Sequence, residues 1–95
     1  MKLLVSTGPD AGRVISIDHE VVVGRAGGSA DVTIDDPQIS GRHLRVRPSG
    51  DGIEVEDLGS TNGTFVNDKR VQTHDLVDND NVTLGRVRFK YKSLS

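Results

Sequence analysis

The sequence predicts an all-β domain, a β-sandwich or barrel, and three observations carry that reading. Apolar residues come in short runs, none long enough for a convincing helix. Eleven glycines and three prolines are spread along the 95 residues rather than gathered in one linker, so the chain is cut into strand-sized pieces. Only three aromatics are present, Phe65, Phe89 and Tyr91, so the core must be built mainly from Val, Ile and Leu, residues that favour strands. A chain of this length holds one domain, here taken as residues 1–95, and keeps roughly 60 to 70% of its unfolded surface from water.

The predicted strands follow in order: Lys2 to Ser6, Arg13 to Ile17, Glu20 to Gly24, Val32 to Ile34, His43 to Arg47, Ile53 to Asp57, Thr64 to Val66, Arg70 to Val71, Asn81 to Leu84 and Val87 to Tyr91. One hairpin can be registered from charge alone. If Val46 faces Val55, then Arg45 faces Glu56 and Arg47 faces Glu54, across a turn at Pro48 to Gly52, and apolar and ionic pairs sort onto opposite faces. Arg45 and Arg47 then form a neutralised, solvated face rather than a basic patch. The last strand places Val87, Phe89 and Tyr91 on one face and Arg86, Arg88, Lys90 and Lys92 on the other, which reads as a basic edge strand that discourages sheet-to-sheet pairing.

Twelve basic and fourteen acidic residues leave a formal charge of −2, which argues against binding nucleic acid or anionic membrane through bulk charge. Any anion must be held locally. The absence of cysteine excludes a disulfide framework, a thiolate nucleophile and a sulfur-ligated zinc. Leu3 to Val5 is far too short for a signal segment, and no stretch approaches a membrane span. The expectation is a cytoplasmic, monomeric domain with no metal and no cofactor.

Three segments hold more glycine, hydroxyl and amide groups than strand connections require: Gly24 to Asp31, Asp35 to His43 and Leu58 to Thr64. Around Gly24-Arg25, backbone amides can approach an anion beside an arginine, although the Gly-Lys-Ser/Thr ending and following helix of a nucleotide loop are missing. Ser40-Gly41-Arg42-His43 sets a hydroxyl, a guanidinium and an imidazole just before a strand. A hydrolase triad on Ser40 and His43 ranks far behind, since no nucleophile elbow and no obvious orienting carboxylate accompany them. His19 and His74 lie in polar turns away from His43, so the three histidines form no metal site. Asp78 to Asn81 resembles a calcium loop only in composition and reads as a tight turn.

The most informative stretch is Leu58-Gly59-Ser60-Thr61-Asn62-Gly63-Thr64-Phe65-Val66-Asn67. Asn62-Gly63 is a turn signal anywhere, but turns alone do not explain the density of hydroxyl and amide groups before Phe65. Together with Gly24-Arg25, Ser40-x-x-His43 fifteen residues on, and closing strands around Leu84-Gly85, it makes the chain resemble the forkhead-associated domains over nearly its whole length. That family consists of phosphothreonine-binding modules.

The resemblance implies a β-sandwich of two mainly antiparallel sheets, about eleven short strands, with binding loops at one end, and a non-enzymatic module that recognises a phosphothreonine in an extended segment of a partner protein. A Ser/Thr kinase would supply the modification. By the family pattern Arg25, Ser40, Arg42 and Thr61 would contact the phosphate and Asn62 the ligand backbone. His43 would fix the Ser40 loop from behind through a buried hydrogen bond, Gly24 would allow the turn that presents Arg25, and Gly63 the turn that presents Asn62. One departure is Gly41, where the family commonly has Arg or Asn. It motivates the alternative of an interaction domain of the same fold that binds without phosphorylation.

Overall fold

The computed structural model describes residues 1–93 and consists of eleven strands: β1 Lys2–Val5, β2 Val14–Ser16, β3 Val21–Arg25, β4 Val32–Ile34, β5 Leu44–Ser49, β6 Gly52–Asp57, β7 Thr64–Val66, β8 Lys69–Val71, β9 Thr73–Leu76, β10 Asn81–Leu84 and β11 Val87–Lys92. They form a six-stranded sheet in the order β2-β1-β11-β10-β7-β8 and a five-stranded sheet in the order β4-β3-β5-β6-β9. The pairings are antiparallel except β3 with β4. Alternation along the strands sends one face of each sheet inward. Leu3, Val5, Val82, Leu84, Phe89 and Tyr91 of the larger sheet meet Val23, Leu44, Val46, Ile53 and Val55 of the smaller one in a single core.

The β5–β6 register is Val46 to Val55, Arg45 to Glu56 and Arg47 to Glu54, as charge pairing predicts, with Arg45 and Arg47 bonded to those glutamates. The connecting turn is tighter than expected. Pro48 and Ser49 remain paired with Ile53 and Gly52, leaving only Gly50 and Asp51 between the strands.

Two expectations are corrected. Strand β9 carries Thr73-His74-Asp75-Leu76, of which only Leu76 is buried, so it has no apolar run to signal it. It is held by backbone pairing to β6 at the sheet edge. Strand β11, read as a basic edge, lies inside the six-stranded sheet between β1 and β10. Both of its hydrogen-bonding edges are occupied, so its basic residues cannot serve to block sheet pairing.

The one parallel pairing decides where the loops go. Arg25 at the end of β3 sits beside Ile34 at the end of β4, so both strands finish at the same end of the sandwich. Strand β5 begins there with Leu44 facing Val23 and Asp57, the last residue of β6. In the other sheet, β7 begins at Thr64 opposite Leu84, the last residue of β10. The 35–43 and 58–63 loops and the β10–β11 turn therefore meet at one end, with the 26–31 connection beside them.

Candidate functional site

The three glycine- and hydroxyl-rich segments are bonded to one another at that end. The Arg25 backbone N–H donates to the Ser40 carbonyl at 2.9 Å. The Thr61 N–H donates to Ser40 Oγ at 3.1 Å, and the Asn62 side-chain amide to the Gln38 carbonyl at 2.8 Å. Because Ser40 Oγ accepts from Thr61, its own hydroxyl hydrogen remains free to donate. Arg25, Arg42, Thr61 and Asn62 are exposed and Ser40 is half-buried. Among the described residues neither Arg25 nor Arg42 has a carboxylate partner. Two uncommitted guanidiniums and two free hydroxyls thus border the same loops, in a chain whose formal charge is −2. That arrangement accepts an anion with several oxygen atoms. Asn62 already spends one amide hydrogen on Gln38, leaving its oxygen and second hydrogen open.

His43 is fully buried behind these groups. Its Nδ1 lies 3.1 Å from the Ser40 N–H and its Nε2 2.8 Å from the Gly63 carbonyl. Since a backbone N–H can only donate and a carbonyl only accept, the ring accepts at Nδ1 and donates at Nε2, the neutral Nε2–H tautomer. One imidazole thereby fixes the spacing of the 35–43 and 58–63 loops.

Gly24 acts differently from the sequence expectation. It lies within β3, is not in the left-handed region, and makes no turn. A Cβ at this position would stand 2.0 Å from the Gly41 carbonyl oxygen and 2.9 Å from the Ala30 Cβ. Glycine is needed because the Ser40 loop lies directly on the strand, which sets its distance from Arg25. Gly63 does have a left-handed φ of 88°, and a Cβ there would also come within 2.8 Å of Arg70 Nε.

Two carboxylates that sequence reasoning passed over hold the loops in shape. Asp57, buried at the end of β6, accepts from Ser60 Oγ at 2.5 Å, Thr64 Oγ1 at 2.7 Å, Ser60 N–H at 3.0 Å and Gly59 N–H at 3.1 Å. Burial pushes its pKa up, but the bonds from Ser60 and Thr64 outweigh burial and hold it below the ordinary carboxylate value. Ser60 passes the order on by accepting the Gly63 N–H at 3.0 Å. Asp36, also buried, accepts the Gln38 N–H at 2.9 Å and the Arg86 N–H at 2.8 Å, tying the Ser40 loop to the β10–β11 turn. Here too burial raises the pKa and the backbone bonds lower it further, for a net decrease. The available signal for Asp57 was an acidic residue at the inward-facing position that ends the Ile53, Val55 alternation, followed three residues later by Ser.

The FHA domain family pattern matches residues 21–85. The oxoglutarate dehydrogenase inhibitor of Corynebacterium jeikeium is 35% identical over 89 residues, covering 94% of this chain and 62% of that protein. The glycogen accumulation regulator GarA of Mycolicibacterium smegmatis is 34% identical over 89 residues, covering 94% and 56%. The chain thus spans only 56 to 62% of the length of these two relatives, which are named for inhibition and regulation. A solved FHA domain from an analysis of phosphothreonine-dependent interactions superposes with a TM-score of 0.84 at 33% identity, covering 96% of this chain and 93% of that one. The FhaA FHA domain, solved in complex with the intracellular domain of Rv3910, superposes with a TM-score of 0.83 at 34% identity, covering 94% and 96%. With the family pattern over most of its length, and an eleven-stranded sandwich that superposes on solved members, this chain belongs to the FHA domain family.

Proposed function

We propose that residues 1–95 form a single phosphothreonine-dependent binding module that recruits a threonine-phosphorylated protein and carries no chemistry of its own. The observation that supports this reading most is the bonded cluster of Arg25, Ser40 and Thr61, with unpaired guanidiniums and free hydroxyls directed to solvent. Arg25 and Arg42 supply charge, Ser40 and Thr61 supply hydroxyl donors, and the open part of the Asn62 amide bonds the backbone of an extended peptide. His43, Gly24 and Gly63 hold the loops and do not touch the ligand. Neither metal nor cofactor has a part in this recognition. Among the described residues no helix is long and apolar enough to cross a membrane, and a cytoplasmic location, where Ser/Thr kinases act, belongs to this proposal.

A two-dimensional amide titration tests it, using a degenerate phosphothreonine peptide mixture beside the same mixture unphosphorylated and with phosphoserine. The Arg25, Ser40, Thr61 and Asn62 amides are expected to shift only with phosphothreonine. Replacing Arg25 with Ala is expected to weaken binding by about ten- to a hundredfold, the worth of one charge-assisted contact to phosphate. Its thermal midpoint should stay close to that of the parent, because the side chain has no ion-pair partner to lose. Equal shifts with all three mixtures would replace this reading by phosphorylation-independent binding.

A further inference from the structure

The two sheets differ in charge far more than the whole chain reveals. The strands of the six-stranded sheet contain Lys2, Lys69, Arg70, Arg88, Lys90 and Lys92 and no acidic residue. Those of the five-stranded sheet contain Glu54, Glu56, Asp57 and Asp75 against Arg25, Arg45 and Arg47. The registers place five of the six cations on the outer face of the larger sheet. One cross-strand row runs Arg70, Phe65, Thr83, Arg88. The next runs Asn81, Lys90, Leu4, Val14, and a third Lys92, Lys2, Ser16. At ordinary strand spacing this face measures roughly 20 Å across five or six strands.

Neutralisation is confined to its margins. Arg88 reaches Asp68, which is 84% exposed, at 3.3 Å, and Lys92 donates to the neutral Asn79 side chain at 2.5 Å. Asp78 lies near Lys92 but accepts from Ser93 through both backbone and hydroxyl. Arg70, Lys90 and Lys2 have no carboxylate partner among the described residues. Since β1 and β11 lie inside the sheet, edge protection does not explain Lys2 or Lys90, whereas Arg70 stands on the edge strand β8. The face is also partly apolar, with Val14 52% exposed and Leu4 and Phe65 half-buried among the cations.

Arg70 joins this face to the loops. Its guanidinium lies so close over the Gly63 backbone that a Cβ there would come within 2.8 Å of Nε and 3.1 Å of Cζ. It therefore stands at the Asn62–Gly63 turn, on the border between the loops and the outer face of the sheet. We propose that the outer face of the six-stranded sheet is a second contact surface, continuous with the loop site through Arg70, that receives an acidic segment of the phosphorylated partner. The surface rests on the phosphothreonine reading for its continuity, not for its charge. Acidic protein fits better than nucleic acid, because the cations are interspersed with Leu4, Val14 and Phe65 and the chain as a whole is negative. Its occupant is a Glu- or Asp-rich stretch with interspersed apolar side chains.

The probes are a phosphothreonine peptide, the same peptide with a six-residue Glu/Leu extension on its amino or carboxyl side, and the unphosphorylated extended peptides. At about 50 mM salt one of the two extensions is expected to tighten binding at least about fivefold, with the gain fading at high salt. Lys90→Glu with Lys92→Glu should abolish that gain and leave the unextended peptide unaffected, which also shows that the variant is folded. Arg70→Gln should remove part of it. No gain from either extension overturns the proposal, as does a gain that survives charge reversal or displacement of the extension by a DNA duplex. If the unextended phosphopeptide does not bind at all, the phosphothreonine reading fails on its own. The unphosphorylated acidic peptides then decide the face separately: amide shifts at Leu4, Lys90 and Arg70 support it, and their absence overturns it.

Discussion

At the scale of single residues, the site depends on which positions are crowded and which are open. Gly24 and Gly41 are neighbours in space with opposite tolerances. A Cβ at Gly24 would collide with the Gly41 carbonyl, whereas a Cβ at Gly41 would meet no heavy atom within 4 Å, and Gly41 is outside the left-handed region. A side chain at residue 41 therefore projects freely beside Arg42 and Ser40. Gly41→Arg is expected to keep the fold and to strengthen phosphopeptide binding about threefold to tenfold by one more charge-assisted contact, with Gly41→Ala as the neutral control. Isothermal titration of both variants checks this, and an unchanged affinity would place the phosphate away from residue 41. In the core, the Tyr91 hydroxyl is buried with no hydrogen-bond partner among the described residues. Burial first, and the Asp78 charge second, push its pKa above the usual tyrosine value. Removing an unpaired buried hydroxyl costs nothing in lost bonds, so Tyr91→Phe is expected to be neutral or to stabilise by up to about 1 kcal/mol in urea unfolding.

At the scale of elements, what was legible in the sequence was whatever alternates. The β5–β6 hairpin was readable to the residue because Val46, Val55 and two Arg–Glu pairs leave one consistent register. Strand β9 was not readable, since an edge strand held by backbone bonds needs only one buried side chain. Gly24 and Gly63 could be picked out, but the Gly41 carbonyl that makes Gly24 obligatory comes from a segment seventeen residues away. Asp57 was hidden for the same reason, as four donors arrive from a loop whose path sequence does not specify. In Asp57→Asn the amide oxygen can keep the Gly59 and Ser60 N–H groups, but an NH2 then replaces the oxygen that accepts from the Ser60 and Thr64 hydroxyls, and both of those charge-assisted bonds are lost. It is expected to cost about 3 kcal/mol at neutral pH. The folded pKa of Asp57 is lowered, so its contribution is complete above the unfolded carboxylate value near pH 4 and is lost as pH falls through the folded value. Asp36 follows the same sign. Denaturant unfolding of the parent and Asp57→Asn should therefore show a stability gap that narrows below about pH 4. A gap independent of pH would assign the effect to packing rather than to the carboxylate charge.

At the scale of the whole molecule, the loops are joined to both sheets rather than appended to one. Asp36 fastens the Ser40 loop of the smaller sheet to the β10–β11 turn of the larger, and His43 links the start of β5 to the loop that enters β7. The sequence could not show this, because each tie spans the sandwich, and family resemblance supplied the convergence that spacing did not. The physical consequence is that Arg25, Ser40 and Thr61 are brought together only when both sheets are in place, so a ligand of the loops binds the native state and not the unfolded chain. Under that condition a phosphothreonine peptide at a hundredfold its Kd adds about 2.7 kcal/mol to stability. For a domain of this size that corresponds to a rise in melting temperature of about 10 to 15 °C. The unphosphorylated peptide should give no rise, and Arg25→Ala should lose most of it while melting, without ligand, where the parent does. A ligand that binds tightly yet leaves the melting temperature in place would mean that the loops keep their binding geometry after the sandwich has come apart, contrary to a site assembled by ties between its sheets.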